Sequence, residues 1–172
     1  MIGASTDTMN TAPRSDDAPL KLEKFLPYRL NVVASLVSQA LSRIYSDRYG
    51  IGVPEWRVVV TLGQFGTMTG KAIGAHSHMH KTKVSRAVAL LESRKLITRR
   101  ANRSDLREAL LALTSSGRTM YDDLAPIALD FANRLIEAVD AADRAAFERA
   151  VDRLIERAPK IAAEFTKSTS AG

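Results

Sequence analysis

Between Thr69 and Leu113 the hydropathy pattern changes period, and that succession constrains the fold more than any other feature of the chain. Thr69 can cap a short helix running to about His76. Ser77-His78-Met79-His80 then forms a turn-like spacer. From about Lys81 to Lys95, Val84, Val88 and Leu91 recur at helical spacing with Ala87 beside them, which predicts a second helix with an inward apolar stripe. Thr82, Lys83, Ser85, Arg86 and Ala89 fall on the opposite, outward side. Leu96–Arg99 and Ala109–Leu113 read as strands around the polar turn Ala101–Asp105, so the pair predicts a β-hairpin. Two short helices, a tight turn and a hairpin leave few architectures open.

The charge is concentrated in the same stretch. The chain has 172 residues, a net charge of +6 and a pI of about 9.8. Nine basic residues against two acids give Lys81–Arg107 a net +7, so the rest of the chain carries −1. A near-neutral body with one basic segment is the electrostatic footprint of a nucleic-acid contact. There is no cysteine, which removes disulfides, thiolate metal sites and cysteine nucleophiles. No apolar run approaches the ~18 residues of a membrane span, and residues 1–19 lack a secretory or transit pattern. A cytoplasmic protein is therefore expected.

The flanks read as helices. Residues 1–19 are Ser/Thr/Asp/Pro-rich and aperiodic, predicting a disordered N-terminal arm. From Leu20 to Arg48, Leu30, Val33, Val37, Leu41 and Ile44 make a long amphipathic helix, with Pro27 marking a kink or restart and Gly50 a C′ residue. Pro54 opens a second helix to Phe65, whose buried face would hold Trp56, Val59, Val60 and Leu62. A tract from Thr114 to about Val139 places Leu124, Ile127, Phe131 and Leu135 on one side, with a bend at Pro126. Asp140 or Asp143 can cap a last helix turning Phe147, Val151, Leu154 and Ile155 inward. Pro159 argues for a kink or stop there, and the tail from Lys167 is expected to be loose. The fold class is mainly α with a small β-hairpin wing: a winged helix-turn-helix over 51–117, flanked by helical regions at 20–50 and 118–166.

In such an architecture the second helix of the pair enters the DNA major groove. Lys83 and Arg86 stand three apart on one face and can reach phosphates or a guanine edge, while Thr82 and Ser85 are short donors that permit close approach. The hairpin tip presents Arg103 and Arg107, guanidinium groups suited to a narrow minor groove. Asp105, between them, is expected to pair with a neighbouring arginine and fix the wing. Arg99 and Arg100 alternate along a strand, so one would face DNA while the other pairs with an acid.

These residues resemble the MarR family of transcriptional regulators. The resemblance covers about Leu20 to Ala163 and is strongest at Val84-Ser85-Arg86, Leu91-Glu92-Ser93-Arg94-Lys95-Leu96, Asp105-Leu106-Arg107 and Leu113-Thr114-Ser115-Ser116-Gly117. Pro54-Glu55-Trp56-Arg57-Val58 looks like the family's second helix. Lys95 departs from the pattern, standing where the family usually has glycine. The resemblance implies a homodimer built from the first helix and the last two. The surplus of apolar surface on those helices is an independent reason to dimerise. A two-fold dimer would read double-stranded DNA as a pseudo-palindrome, with half-site centres about 10 bp apart or a multiple. The resemblance also makes Tyr28, Arg29, Trp56 and Arg57 candidates for a small-molecule effector pocket. Residues Leu26–Asn31 and Pro54–Arg57 look most like the branch that responds to hydroxycinnamate-type aromatic acids or their coenzyme A thioesters.

The expected function is a repressor that a small aromatic carboxylate, or its thioester, releases from its operator. Two alternatives stand beside it: a zinc-dependent regulator using His76, His78 and His80, and an architectural DNA-binding protein with no effector. The histidines lack a cysteine or nearby carboxylate to complete a ligand set. No catalytic, metal or cofactor site is therefore expected. The chain has no phosphate-binding glycine loop or nucleophile elbow, so an enzyme is not predicted.

Overall fold

A computed structural model describes residues 19–105 and 107–169. The predicted disordered arm lies outside them except for its last residue, Pro19. The chain divides into two compact units, residues 1–40 and 41–172. In the first, a 3-10 turn at Leu22–Lys24 leads into helix α1, Leu26–Tyr49, which continues into the second. Pro27 sits in the first turn of α1, so the helix restarts there instead of kinking. Leu26, Leu30, Val33 and Leu36 are all exposed, an apolar stripe that the described residues leave uncovered. No helix among the described residues is long and apolar enough to cross a membrane.

The second unit contains α2 (Val53–Phe65), β1 (Met68–Thr69), α3 (Gly70–Ser77), α4 (Lys81–Ser93), β2 (Ile97–Ala101), β3 (Ala109–Leu113), α5 (Ser115–Ile136) and α6 (Arg144–Thr169). Its three-stranded antiparallel sheet has the order β1-β3-β2. The expected hairpin is β2–β3, from Ile97 opposite Leu113 to Ala101 opposite Ala109. β1 is an addition to the expectation: Met68 and Thr69 pair with Leu111 and Leu110. Two residues carry no readable alternation, which is why the sequence does not announce this strand.

The core gathers around α2. Trp56, Val59 and Leu62 are buried as expected, but Val58 is fully buried while Val60 is only half-buried. The reason is that α2 packs against α3, α4, α5 and β3, so more than one of its sides is covered. Ile73, Val84, Ala87, Val88, Leu91, Leu111, Met120 and Leu124 belong to the same cluster, as do Ile51, Met79 and Ile97. Each large aliphatic side chain buried this completely contributes roughly 1.5–3 kcal/mol. Tyr45, near the end of α1, stacks on Trp56 with ring centroids 5.5 Å apart, and burial pushes its phenol pKa up.

Two backbone features set the turn after α4. Leu96 N donates to Leu91 O and Lys95 N to Glu92 O, each at 2.9 Å, the crossed pair of bonds that ends a helix through a left-handed residue. Lys95 is that residue, with φ of 58°. The departure from glycine noted above therefore falls where glycine would be unstrained. Gly117 fulfils the opposite role: a Cβ there would collide with the Leu96 carbonyl, so α5 can start against the turn after α4 only from a glycine.

The last helix corrects the expectation in part. α5 runs unbroken through Pro126, and α6 runs through Pro159 as far as Thr169, past the tail expected from Lys167. A helical proline removes one N–H, and here the carbonyls it frees belong to exposed residues, Asp122 and Ile155, where water can serve them. Phe147, Leu154 and Ile155 do not turn inward. They are 48%, 39% and 57% exposed, and Val151 is half-buried, because helices α2 and α4 and the sheet already close the core without α6.

Candidate nucleic-acid interface

The outward face of α4 follows from how the helix is seated. Thr69 caps α3 by accepting from Ala72 N at 3.2 Å. His78 takes the left-handed conformation that reverses the chain, and His80 caps α4, its Nδ1 accepting from Thr82 N at 3.3 Å. With Val84, Ala87, Val88 and Leu91 buried, the helical period turns Thr82, Lys83, Ser85, Arg86 and Ala89 to solvent, and all five are exposed. No ion pair among the described residues engages Lys83 or Arg86.

The remaining cations of the basic segment divide into free and committed groups. Arg99 grips Glu92 with two bonds, Nε to Oε1 at 2.9 Å and NH2 to Oε2 at 2.8 Å. Those bonds hold the Glu92 carboxyl below its ordinary pKa. Arg99 is thus the strand arginine that pairs with an acid, while Arg100 is exposed. Arg94 is committed too, its NH1 donating to Tyr49 O at 3.0 Å and Gly50 O at 2.9 Å.

At the wing tip Arg103 and Arg107 are exposed. Asp105 fixes the turn, but through the backbone: Oδ1 accepts from Arg107 N at 2.9 Å, and among the described residues no guanidinium pairs with it. The expected partner was the wrong donor. An aspartate side chain two residues upstream is already within reach of that N–H, whereas an arginine head must be ordered to meet it. Asn102 Oδ1 likewise accepts from Ser104 N and Ser104 Oγ. A cavity of about 640 Å³ between α3, α4 and the sheet brings Ser85 and Arg107 together, with Lys71, Lys81 and Arg99 also on its wall. Lys71 was passed over in the sequence; it lies outside the basic segment and is brought here by the pairing of β1 with β3.

The four effector candidates divide between the two units. Tyr28 and Arg29 are exposed residues of the 1–40 unit. Trp56 is buried in the core against Tyr45. Arg57 donates to Ser77 O at 3.3 Å and lines a small cavity of about 220 Å³ with Phe65 and His76. The histidines each have separate work: His76 lies 4.4 Å from the Phe65 ring, His78 makes the turn, and His80 caps α4. Among the described residues no group of three or more His, Asp or Glu side chains could hold a metal ion.

A helix pair with a basic, unpaired second helix, followed by a three-stranded wing, is a winged helix-turn-helix. Residues 49–108 match the model of the MarR family. The chain is 25% identical over 126 residues to the uncharacterized HTH-type transcriptional regulator YwoH of Bacillus subtilis (strain 168), covering 73% of this chain and 90% of that protein. It shares its fold with a MarR/EmrR family transcriptional regulator from Acinetobacter sp. ADP1, at a TM-score of 0.74 and 23% identity over 82% of this chain and 99% of that one. It also shares it with S. aureus MepR in a DNA complex, at a TM-score of 0.70 and 18% identity over 77% and 98%. Over residues 49–108 the chain is thus similar to the MarR family, and its likeness to the solved structures is one of fold.

Proposed function

We propose that this chain is a homodimeric repressor that binds a pseudo-palindromic operator in double-stranded DNA and leaves it when a small aromatic acid binds. The observation that carries the reading is the division of the basic segment. The cations on the outward face of α4 and at the wing tip are exposed and unpaired among the described residues, while Arg94 and Arg99 are used internally. In this reading Thr82, Lys83, Ser85 and Arg86 enter the major groove, and Arg103 and Arg107 meet the backbone or minor groove. The MepR–DNA complex of the same fold supports it. The exposed stripes of α1 and α6 are apolar faces suited to a second copy.

For the effector, Arg57 beside Phe65 and His76 offers a guanidinium and two rings, the groups a small aromatic carboxylate needs. The cavity has room for one ring, so a coenzyme A thioester would leave most of its bulk outside. Release would follow from linkage: a ligand preferring a dimer with misplaced reading helices lowers DNA affinity, and a coupling of ~1–3 kcal/mol corresponds to about 5–150-fold. Neither alternative gains a specific observation, since the histidines are otherwise occupied and no feature favours binding without sequence preference.

The test is fluorescence anisotropy on the DNA upstream of the chain's own gene against scrambled DNA, over a salt series, with and without aromatic acids and their thioesters. If Lys83, Arg86, Arg103 and Arg107 of each protomer all meet phosphates, the log–log salt slope is on the order of −7 for a dimer. Preference for the upstream DNA that one ligand class abolishes is the expected result. Equal binding to both DNAs, insensitive to every ligand, overturns the proposal.

A further inference from the structure

Arg94 belongs to the basic segment by charge but is placed differently from its neighbours. It is the residue that follows α4, and one nitrogen of its guanidinium donates to two successive carbonyls, Tyr49 O and Gly50 O. Those carbonyls sit at the end of α1, where a helix has acceptors without intrahelical partners and the macrodipole favours a cation. Gly50 has φ of 58°, and a Cβ built on it would lie 3.6 Å from Arg94 NH1. The same end of α1 is held from another side by α5: Asp123 accepts from Arg48 NH1 at 3.1 Å and from the Tyr49 hydroxyl at 3.0 Å. One turn of α1 is thus tied to α5 by a carboxylate and to the reading helix by a guanidinium. On the same last turn of α4, Glu92 holds β2 through Arg99.

We propose that Arg94 is a positioning residue for DNA reading: it fixes the C-terminal end of α4 to the end of α1 and contacts no phosphate. The inference rests on the DNA-binding reading above and adds a residue role to it. The physical distinction is clear. A phosphate contact contributes equally on every sequence and releases a counterion, so losing it weakens all binding and flattens the salt slope. A positioning residue governs the angle at which α4 presents its side chains to base edges. Base contacts tolerate displacement poorly and phosphate contacts tolerate it well. Losing Arg94 should therefore erode discrimination and leave the salt slope alone.

The experiment compares wild type, Arg94→Ala, Arg94→Gln and Lys83→Ala by anisotropy on upstream and scrambled DNA over a salt series. Hydrogen exchange is followed on the free proteins in parallel. Arg94→Ala should lower the ratio of upstream to scrambled affinity about tenfold, the equivalent of one good base contact, with an unchanged slope. Lys83→Ala should flatten the slope by about 1 per protomer on both DNAs. Exchange at residues 90–96 and 49–51 should accelerate about tenfold in Arg94→Ala, since that turn then opens locally. Should the alanine variant not fold, Arg94→Gln, which removes the charge and shortens the donor, is read by the same criteria. A flattened slope with uniform loss identifies Arg94 as a phosphate contact and overturns the inference. Unchanged discrimination, or unchanged exchange, overturns it as well. A wild-type chain with no preference for upstream DNA instead brings down the regulator reading itself, and this inference with it.

Discussion

Replacing Lys95 with glycine should raise the stability of the chain, although it deletes a side chain. Lys95 occupies the left-handed conformation at φ 58°, which costs an L-residue about 1–2 kcal/mol. The bonds that depend on this turn all survive the change, because they belong to the backbone: Lys95 N to Glu92 O, Leu96 N to Leu91 O, and the Thr114 hydroxyl donating to Lys95 O at 2.7 Å. The ammonium is exposed and has no ion pair among the described residues, so its loss is nearly neutral. Against the relief stands the added freedom of glycine in the unfolded chain, about 0.4–1 kcal/mol. The balance is a gain of about 0.5–1 kcal/mol, or roughly 1–4 °C in Tm for a chain of this size. Thermal denaturation at fixed protein concentration reads it, with Lys95→Ala as the control that removes the ammonium and keeps the strain. A Lys95→Gly protein melting at or below Lys95→Ala would refute the reasoning.

Other substitutions probe other links. Arg86→Ala and Arg107→Ala should each weaken operator binding more than about tenfold, the scale of one lost guanidinium contact, without shifting Tm; anisotropy that leaves both affinities unchanged refutes the assigned reading surface. Gly117→Ala drives a Cβ into the Leu96 carbonyl and should cost about 1–3 kcal/mol, measured by urea denaturation. Glu92→Gln should cost about 0.5–1 kcal/mol at neutral pH, because the pair with Arg99 is partly solvated. Arg99 depresses the Glu92 pKa in the folded state, so this contribution is present above the unfolded carboxyl's pKa and fades as pH falls through the lower, folded value. The stability gap between wild type and Glu92→Gln should therefore close in acid, and a gap that widens there contradicts the assignment.

The helix-turn-helix was legible because its inward stripe has a clean period: Val84, Ala87, Val88 and Leu91 are all buried, and the five residues read as outward are all exposed. The cap of α3 was legible as well, since Thr69 needs only the local backbone to act, whereas His80, read as part of a spacer, was not recognised as the cap of α4. What periodicity cannot carry is a choice among partners. The double commitment of Arg94 to residues 49 and 50 links positions far apart in sequence, and charge counting alone places it with the free cations. The core position of Val58 depends on α2 being covered from several sides, which a one-face helical pattern does not express. For α6 the stripe itself was read correctly and its direction was not. An amphipathic pattern marks a face that avoids water, and in this helix the described residues leave most of it uncovered.

The two residues of β1 have a consequence for how such a protein can change. Thr69 is both a rung of the sheet, opposite Leu110, and the cap of α3. The base of the wing and the first helix of the pair thus share one residue, and the angle between them is not free to drift. Residues 102–108, in contrast, lie beyond the last rung, Ala101 opposite Ala109, so no ladder bond depends on their number. Insertions and deletions there can lengthen or shorten the wing's reach while its aim stays fixed, which makes the tip the place where selection, or an engineer, can alter how far the protein extends along a duplex without rebuilding the head that reads it.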